Sequence, residues 1–545
     1  MKASDLFVKS LENEGVKYIF GIPGEENLDL LESISSSDII RFITTRHEQG
    51  AAFMADVYGR LTGKAGVCLS TLGPGATNLV TGAADANLDR SPLVAITAQA
   101  SLERIHKESH QYVDVVNIFE SITKWNVRVQ KSSIIPEVVR KAFKIAQTEK
   151  PGACHIELPE DIAEEYLDAS SLIPIRARRP SPDREALKKA AGLIDRSSQA
   201  VILAGNGVIR GRASYELKSL SEKTGIPVAE TFMGKGAVPW DYELSLLTIG
   251  IQAHDYVSCD FDKADLIISI GYDMAEYSPK FWNPDGNKEI IHIDFLPAEV
   301  DIHYQPSVEI VADIRETLEL LIDEVKVTKD ISYPKLLRRY IINELEEKSH
   351  DNSFPVKPQR ILHDLRHVMR RNDILISDVG AHKIWVARIF PACEPNTVLI
   401  SNGFASMGFA LPGAIAAKLI YPERRVVAAC GDGGFLMNCQ ELETALRFGL
   451  PFVTIIFNDG SYGLIDWKQM KKFGRKIYTE FGNPDFQRLA EAFGAKGYRI
   501  NNAQEIIPVL NDAFKQNVPV VIDIPVDYKE NFALTEKMGR LICPM

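Results

Sequence analysis

Cysteine is sparse in this chain. The seven residues in 545, at positions 68, 154, 259, 393, 430, 439 and 543, are scattered and show no C-x-x-C spacing. That pattern excludes a small disulfide-dense scaffold and a zinc-ribbon site, so reduced thiols are expected. No run of 18 apolar residues occurs, so no membrane partner is expected. The opening stretch MKASDLFVKSLENEGVKYIF is amphipathic and has no apolar core of secretory-signal type. A cytoplasmic protein is therefore expected. There is no long basic run, and 62 Lys and Arg against 73 Asp and Glu leave a net charge of −11. Nucleic acid is thus not an expected partner, although one local site can still hold a small anion. Internal repeats of the solenoid type and low-complexity segments are missing as well. None of the 11 histidines is adjacent to another.

What is present is the composition of an ordinary globular protein, with 45% hydrophobic and 25% charged residues. The length predicts about three domains. The recurring unit is a short β-branched run, a Gly-rich turn and a helical pattern: VKYIF then GIPG, GVCLST then LGPGATN, RVVAAC then GDGGF. Strands alternating with helices predict an α/β protein whose domains are each a parallel sheet flanked by helices. Ligands gather at the carboxyl ends of such strands, where these turns lie. Two stretches break the rhythm and read as linkers. One is DASSLIPIRARRPSPDRE at 168–185, and the other, near 327–358, carries a polar helical stretch. They leave domains at 1–167, 186–326 and 359–530, with ENFALTEKMGRLICPM as a tail.

In the third domain, 425–429 (RVVAA) reads as a buried strand, followed by Gly431, Asp432, Gly433 and Gly434. FLMNCQELETALRFG then reads as a helix. PFVTIIF at 451–457 reads as a second strand, closed by Asn458, Asp459, Gly460 and Ser461. One right-handed βαβ unit brings Asp432 and Asp459 to the same edge of two parallel strands. Paired carboxylates there suit a hard cation such as Mg²⁺, which commonly shares a diphosphate with them. Gly433 and Gly434 admit backbone N–H groups close to that diphosphate, at the positive end of the next helix.

The Gly-Asp-Gly turn and the second strand end, separated by residues 434–457, resemble the signature of the thiamine-diphosphate-dependent enzymes. The family pattern closes with Asn-Asn; here it closes with Asn458-Asp459, and the aspartate adds a charge to an oxygen ligand. The resemblance implies thiamine diphosphate and Mg²⁺ as cofactors. Asp432 and Asp459 would bind the metal by side chain and Ser461 by its backbone carbonyl. ILISDVGAHKIW at 374–385 is similar to the family's second diphosphate contact, made by Gly380, Ala381 and His382. SNGFASMGFALPGAIAAKL at 401–419 is similar to its coenzyme-shaping loop. Met407 would lie under the ring junction, and the backbone of Ala405 would hold the pyrimidine amino group.

The resemblance extends over nearly the whole chain, in the order pyrimidine-binding domain, Rossmann-like middle domain, diphosphate-binding domain. RHEQGAAFMADVYGRLTGK is similar to the segment of the acetolactate synthase branch that carries the coenzyme-activating carboxylate, which points to Glu48. HQYVDVVNIFESITKW carries Gln111, which resembles the family's glutamine next to the reacting centre, with His110 before it, so the resemblance implies that both lie beside the substrate. In the middle domain AVILAGNGVIRG is a weak dinucleotide signal on its own. Flavin-containing members carry an Arg-Phe-Asp-Asp-Arg-like stretch where this chain has Gly271-Tyr272-Asp273-Met274-Ala275-Glu276-Tyr277. FAD is therefore not expected, and the closer resemblance is to the catabolic, flavin-independent synthases.

The activity implied is condensation of two 2-oxoacid substrates, both pyruvate, to 2-acetolactate and CO₂ through a hydroxyethyl carbanion on the coenzyme. Alternatives are another 2-oxoacid carboligase, such as one acting on glyoxylate, a decarboxylase, or a non-catalytic homologue. The lack of an adjacent His pair counts against the decarboxylase. Lys468 stands where biosynthetic synthases carry a substrate-selecting tryptophan. Leu464 and Lys468, four apart, share a helix face, whereas Trp467 is turned away by about 100°. Family members build each site from two chains, so a homodimer or homotetramer is implied.

Overall fold

A computed structural model describes residues 1–175, 178–250, 254–539 and 541–544. It contains three six-stranded sheets. The first is built from β1 (Tyr18–Gly21), β2 (Arg41–Thr44), β3 (Gly66–Ser70), β4 (Leu93–Gln99), β5 (Trp125–Arg128) and β6 (Ala153–Pro159), in the order β2-β1-β3-β4-β6-β5. The second holds β7 (Ala200–Ala204), β8 (Val228–Glu230), β9 (Ser245–Thr248), β10 (Leu266–Ile270), β11 (Glu289–Asp294) and β12 (Val308–Val311), ordered β12-β11-β10-β7-β8-β9. The third holds β13 (Ile374–Ser377), β14 (Val398–Ile400), β15 (Val426–Gly431), β16 (Val453–Asn458), β17 (Lys496–Arg499) and β18 (Val520–Pro525), ordered β14-β13-β15-β16-β18-β17. Every strand pair is parallel, and helices cover both faces. Hence β3 and β4 are uninterrupted apolar or small-residue runs, buried throughout. The first and third sheets have the same strand order. That duplication leaves no legible repeat in the sequence.

The first and third domains share one core. The helix Glu48–Thr62 lies along the helix Ala410–Ile420, with Phe53 edge-on to Phe409 at 5.7 Å. At the rim of this contact Arg60, almost fully buried, forks to Asp56 (2.8 Å), Asp85 (3.0 Å) and Asp89 (2.8 Å). Three buried carboxylates on one guanidinium are tolerated because the remaining lone pairs are also used. Asp89 accepts from the backbone N–H of Asn402 and Gly403, and Asp85 from Ser401 Oγ. The network therefore ties two helices of the first domain to the start of the 401–409 loop of the third.

Several sequence expectations are corrected. Cys259 and Cys543 form a disulfide, so the thiols are not all reduced. The bridge spans 284 residues and depends on the meeting of the helix Tyr256–Lys263 with the chain beyond Lys529–Gly539, which spacing alone does not reveal. Cys68, Cys154, Cys393, Cys430 and Cys439 are free. The helical stretch expected within 327–358 is the helix Ser332–Glu346, whose Leu337 and Ile341 sit four apart and pack into the middle domain. The expected tail likewise begins with a helix, Lys529–Gly539, which buries Leu534 in the third domain. The single helix read after Gly434 is two, Asp432–Asn438 and Glu441–Arg447. The break lets the Glu441 carboxylate turn back and accept from the N–H groups of Arg46 and His47, at the start of the Glu48 helix.

Candidate active site

β15 and β16 are adjacent and parallel, and Gly431 pairs with Phe457 at their ends. Asp432 and Asp459 therefore leave the same sheet edge. The Asp432 carboxylate is buried. It accepts from the N–H of Gly433 (2.9 Å) and Gly460 (2.7 Å) and from Asn483 Nδ2 (2.7 Å). Burial, aided by the charges of Asp432 and Asp466, pushes Asp459 up to about 8. Two carboxylates that repel each other in a buried turn form a donor set that a divalent cation would neutralise. Among the described residues Asn483 Oδ1 is buried with no hydrogen-bond partner, while its Nδ2 meets Asp432. The donor set fits Mg²⁺. Ser461, on the same turn, is buried, and its hydroxyl donates to Asp466 (2.5 Å).

Gly434 opens the Asp432 helix in a place where a Cβ would lie 2.4 Å from Asp378 Oδ2, so no larger residue fits. Asp378 directly follows β13 and is fully buried. It accepts from the N–H of Val379 (2.9 Å), Gly408 (3.1 Å) and Phe409 (3.2 Å). Burial still pushes it up to about 7. His382, on the helix that follows Gly380 and Ala381, is buried. Its ring stacks on Phe457, and burial pulls it down to about 3, so the imidazole is neutral. Among the described residues its Nε2 has no hydrogen-bond partner, so one ring nitrogen is open to an incoming ligand.

The 401–409 loop is clamped at both ends: by Asp85 and Asp89 at its start, and by Asp378 and Asn438 Nδ2, which donates to Gly408 O (2.8 Å), at its finish. Between the clamps Ala405 has φ +60°, a left-handed conformation costly for a residue with a Cβ. Strain held in place by its surroundings marks a backbone used for function. Met407 is half-buried next to it.

In the first domain Glu48 opens its helix and is 8% exposed. One carboxylate oxygen accepts from Asn78 Nδ2 (2.9 Å); the other lies over the Gly73-Pro74-Gly75 turn, 3.2 Å from where a Gly75 Cβ would be. Gln111, exposed and at φ +58°, lays its carbonyl on Gly73 of that turn. Glu48 and Gln111 thus share one edge of the first sheet. His110 is exposed beside Gln111 on the same loop. Lys468 is exposed on the helix Gly463–Phe473, and its charge bears on Lys383, which burial lowers to about 8. Trp467 faces away, donating to Thr535 Oγ1 (2.8 Å).

Asn78, Asp378 and Asn483 were not singled out from the sequence. Both Asn78, at the end of the helix Pro74–Asn78, and Asp378, buried just past β13, lie within the quoted motifs. Asn483 lies in a loop without a pattern, and only folding brings it to Asp432.

Three family models match the chain: the thiamine pyrophosphate enzyme N-terminal TPP binding domain over residues 1–118, the central domain over 187–321 and the C-terminal TPP binding domain over 378–524. The acetolactate synthase of Bacillus subtilis (strain 168) is 37% identical over 539 residues, covering 98% of this chain and 94% of the relative. The catabolic acetolactate synthase of Raoultella terrigena is 37% identical over 551 residues, 99% and 97% of the two chains. A probable acetolactate synthase large subunit of Methanocaldococcus jannaschii is 38% identical over 562 residues, covering 99% and 94%.

Proposed function

Because the chain belongs to the thiamine pyrophosphate enzymes, among the acetolactate synthases, we infer that it condenses two pyruvates to 2-acetolactate with release of CO₂. The observation that carries this reading is the pair Asp432 and Asp459 on adjacent parallel strand ends, facing a neutral buried His382, within a chain similar to acetolactate synthases over nearly its whole length. Thiamine diphosphate, held there, would supply a nucleophilic thiazolium carbon and an electron sink for decarboxylation of a 2-oxoacid. Asp432, Asp459 and the Ser461 carbonyl would hold Mg²⁺ and, through it, the diphosphate. The N–H groups of Gly433 and Gly434 add hydrogen-bond donors to the same anion, and the neutral His382 would donate to it only as the tautomer that carries its proton on Nε2. Glu48 would accept a hydrogen bond from the pyrimidine ring, with Asn78 fixing the carboxylate plane. The Ala405 carbonyl and Met407 would set the coenzyme's shape. Gln111 and His110 would line the donor side of the substrate pocket and Lys468 its mouth.

The proposed domain limits are 1–167, 186–326 and 359–530. Phe404, Leu436, Met437, Tyr462 and Ile465 are apolar yet exposed on the elements that carry the coenzyme residues. They support a homodimer or homotetramer in which a second chain covers this edge and completes the site. A cytoplasmic location goes with this reading.

The middle domain is proposed to work without FAD. Gly205 and Gly207 interlock with Gly271, where a Cβ on Gly205 would lie 2.4 Å from the Gly271 carbonyl, so close packing explains the Gly-x-Gly turn. The Glu276 carboxylate accepts from the Asn206 N–H (3.2 Å) and from Thr231 Oγ1, filling the place a dinucleotide phosphate would take at that helix start. A cavity of about 1310 Å³ between the domains leaves ample room nearby, so the proposal rests on Glu276 and not on lack of space. The test is purified chain with pyruvate, thiamine diphosphate and Mg²⁺ and no added flavin. CO₂ release matched by acetolactate is expected from a protein without flavin absorbance. Release without acetolactate would replace the carboligase reading by a decarboxylase, and a flavin requirement would overturn the middle-domain reading.

A further inference from the structure

We propose that His254, Cys259, Asp262 and Cys543 form a second cation site, of thiolate and imidazole type, which takes a Zn²⁺-like ion when its two cysteines are reduced. Donor atoms of His254, Cys259 and Cys543 all lie within 4.8 Å of one another. Asp262 completes the set. Its Oδ2 is 2.6 Å from His254 Nε2 and 4.0 Å from Cys543 Sγ. Cys259 and Asp262 are three apart on the helix Tyr256–Lys263 and so share a face, His254 lies just before that helix, and Cys543 arrives from the far end of the chain. Neighbouring ligand atoms in a tetrahedral zinc site sit roughly 3.3–3.8 Å apart, given metal–ligand distances near 2.0–2.3 Å. Small side-chain rotations reach that geometry from the present one.

The donor chemistry separates this site from the catalytic one. Asp432, Asp459 and a carbonyl offer hard oxygens suited to Mg²⁺, whereas two sulfurs, an imidazole and a carboxylate select a softer ion. The scaffold is firm. Cys259 is fully buried, and the helix is capped by Asp255, which also pairs with the buried Arg388 at 3.0 Å. His254 and Asp262 are about half exposed, so an ion can approach from solvent.

The disulfide is the closed state of this site, because both sulfurs are bonded to each other. A thiol reductant of the glutathione class opens it. Two such thiols and the protein disulfide exchange to give two protein thiols and one small-molecule disulfide. The cation then replaces the two thiol protons, which are released to solvent. Either state fastens the chain end to the middle domain. The helix Lys529–Gly539 just before it touches the helix carrying Lys468, through Thr535 and Trp467.

The test uses the full chain with thiamine diphosphate and Mg²⁺, reduced by a phosphine, freed of reductant under anaerobic conditions and titrated with Co²⁺. One Co²⁺ per chain with a thiolate-to-cobalt charge-transfer band is expected, displaced by one equivalent of Zn²⁺. The band should vanish in Cys543→Ser, and in wild-type protein oxidised with glutathione disulfide, while acetolactate formation by Cys543→Ser shows that the variant is folded. Cys259→Ser should behave alike. No band in the reduced wild type, or an equal band in both serine variants, would overturn the proposal. The absorbance readout is independent of turnover, so it stands or falls separately from the proposed activity.

Discussion

Replacing Asp378 by Asn separates the stability of the fold from its hold on the coenzyme loop. The carboxylate is wholly buried, and its three hydrogen-bond partners are all backbone N–H donors. Its proton affinity in the fold is raised from the ordinary 3.8 to about 7. Since the folded value is raised, the stability this group contributes is full below about pH 4 and is lost as pH rises through about 7. At roughly 1.4 kcal/mol per tenfold change in proton affinity, burying the charge costs on the order of 4 kcal/mol at pH 8.

Asn removes that cost but turns an NH₂ group toward Gly408 N–H if its oxygen keeps Val379 and Phe409. One buried donor then loses its acceptor, at about 1–3 kcal/mol. The charge effect wins at high pH, so Asp378→Asn should gain in thermal stability relative to wild type between pH 5 and pH 8. Yet the Gly408 end of the strained Ala405 turn is released. A loss of about 1–3 kcal/mol in loop order corresponds to roughly 5- to 150-fold weaker coenzyme binding. Melts at the two pH values and calorimetric titration of thiamine diphosphate in saturating Mg²⁺ measure both effects. An unchanged coenzyme Kd, or a variant that loses ground to wild type as pH rises, would refute the reasoning.

Glu48→Gln keeps size and the Asn78 contact but cannot carry charge. Coenzyme should still bind while turnover falls by about 10²–10⁴, read by single-turnover CO₂ release, and near-normal turnover would remove Glu48 from the mechanism. Asp432→Ala should abolish Mg²⁺-dependent coenzyme retention in gel filtration, and Asp459→Asn should be milder because an amide oxygen still faces the cation; equal retention by Asp432→Ala and wild type would sink the metal assignment. Arg60→Leu leaves three buried carboxylates unpaired and should cost about 3–5 kcal/mol in urea unfolding, with less than about 1 kcal/mol disproving the network's role. With Lys468 in place of an apolar wall, a methylene preference of about 1–3 kcal/mol is lost. Competition between pyruvate and 2-ketobutyrate at equal concentration should then give at least as much acetolactate as acetohydroxybutyrate, and a strong excess of acetohydroxybutyrate would contradict this.

Local grammar was legible in the sequence. Strand, Gly-rich turn and helix follow one another within about a dozen residues, so β15, the Asp432 turn and β16 could be read off, as could the places of Glu48, His382 and the 401–409 loop. Their proposed roles rest on the family resemblance, which short-range motifs carry. Tertiary structure alone decided what depends on contacts between distant segments. The identical strand order of the first and third sheets is preserved by packing and not by residue identity. Asn483 meets Asp432, Glu441 grips the start of the Glu48 helix, Arg60 gathers three carboxylates from two helices, and Cys543 reaches Cys259 across 284 residues. Glu276 closes the Asn206 turn that a Gly-x-Gly pattern left open to a nucleotide. Each of these is a buried polar or covalent contact whose partner is set by how helices stack on sheets, and no spacing along the chain encodes that stacking.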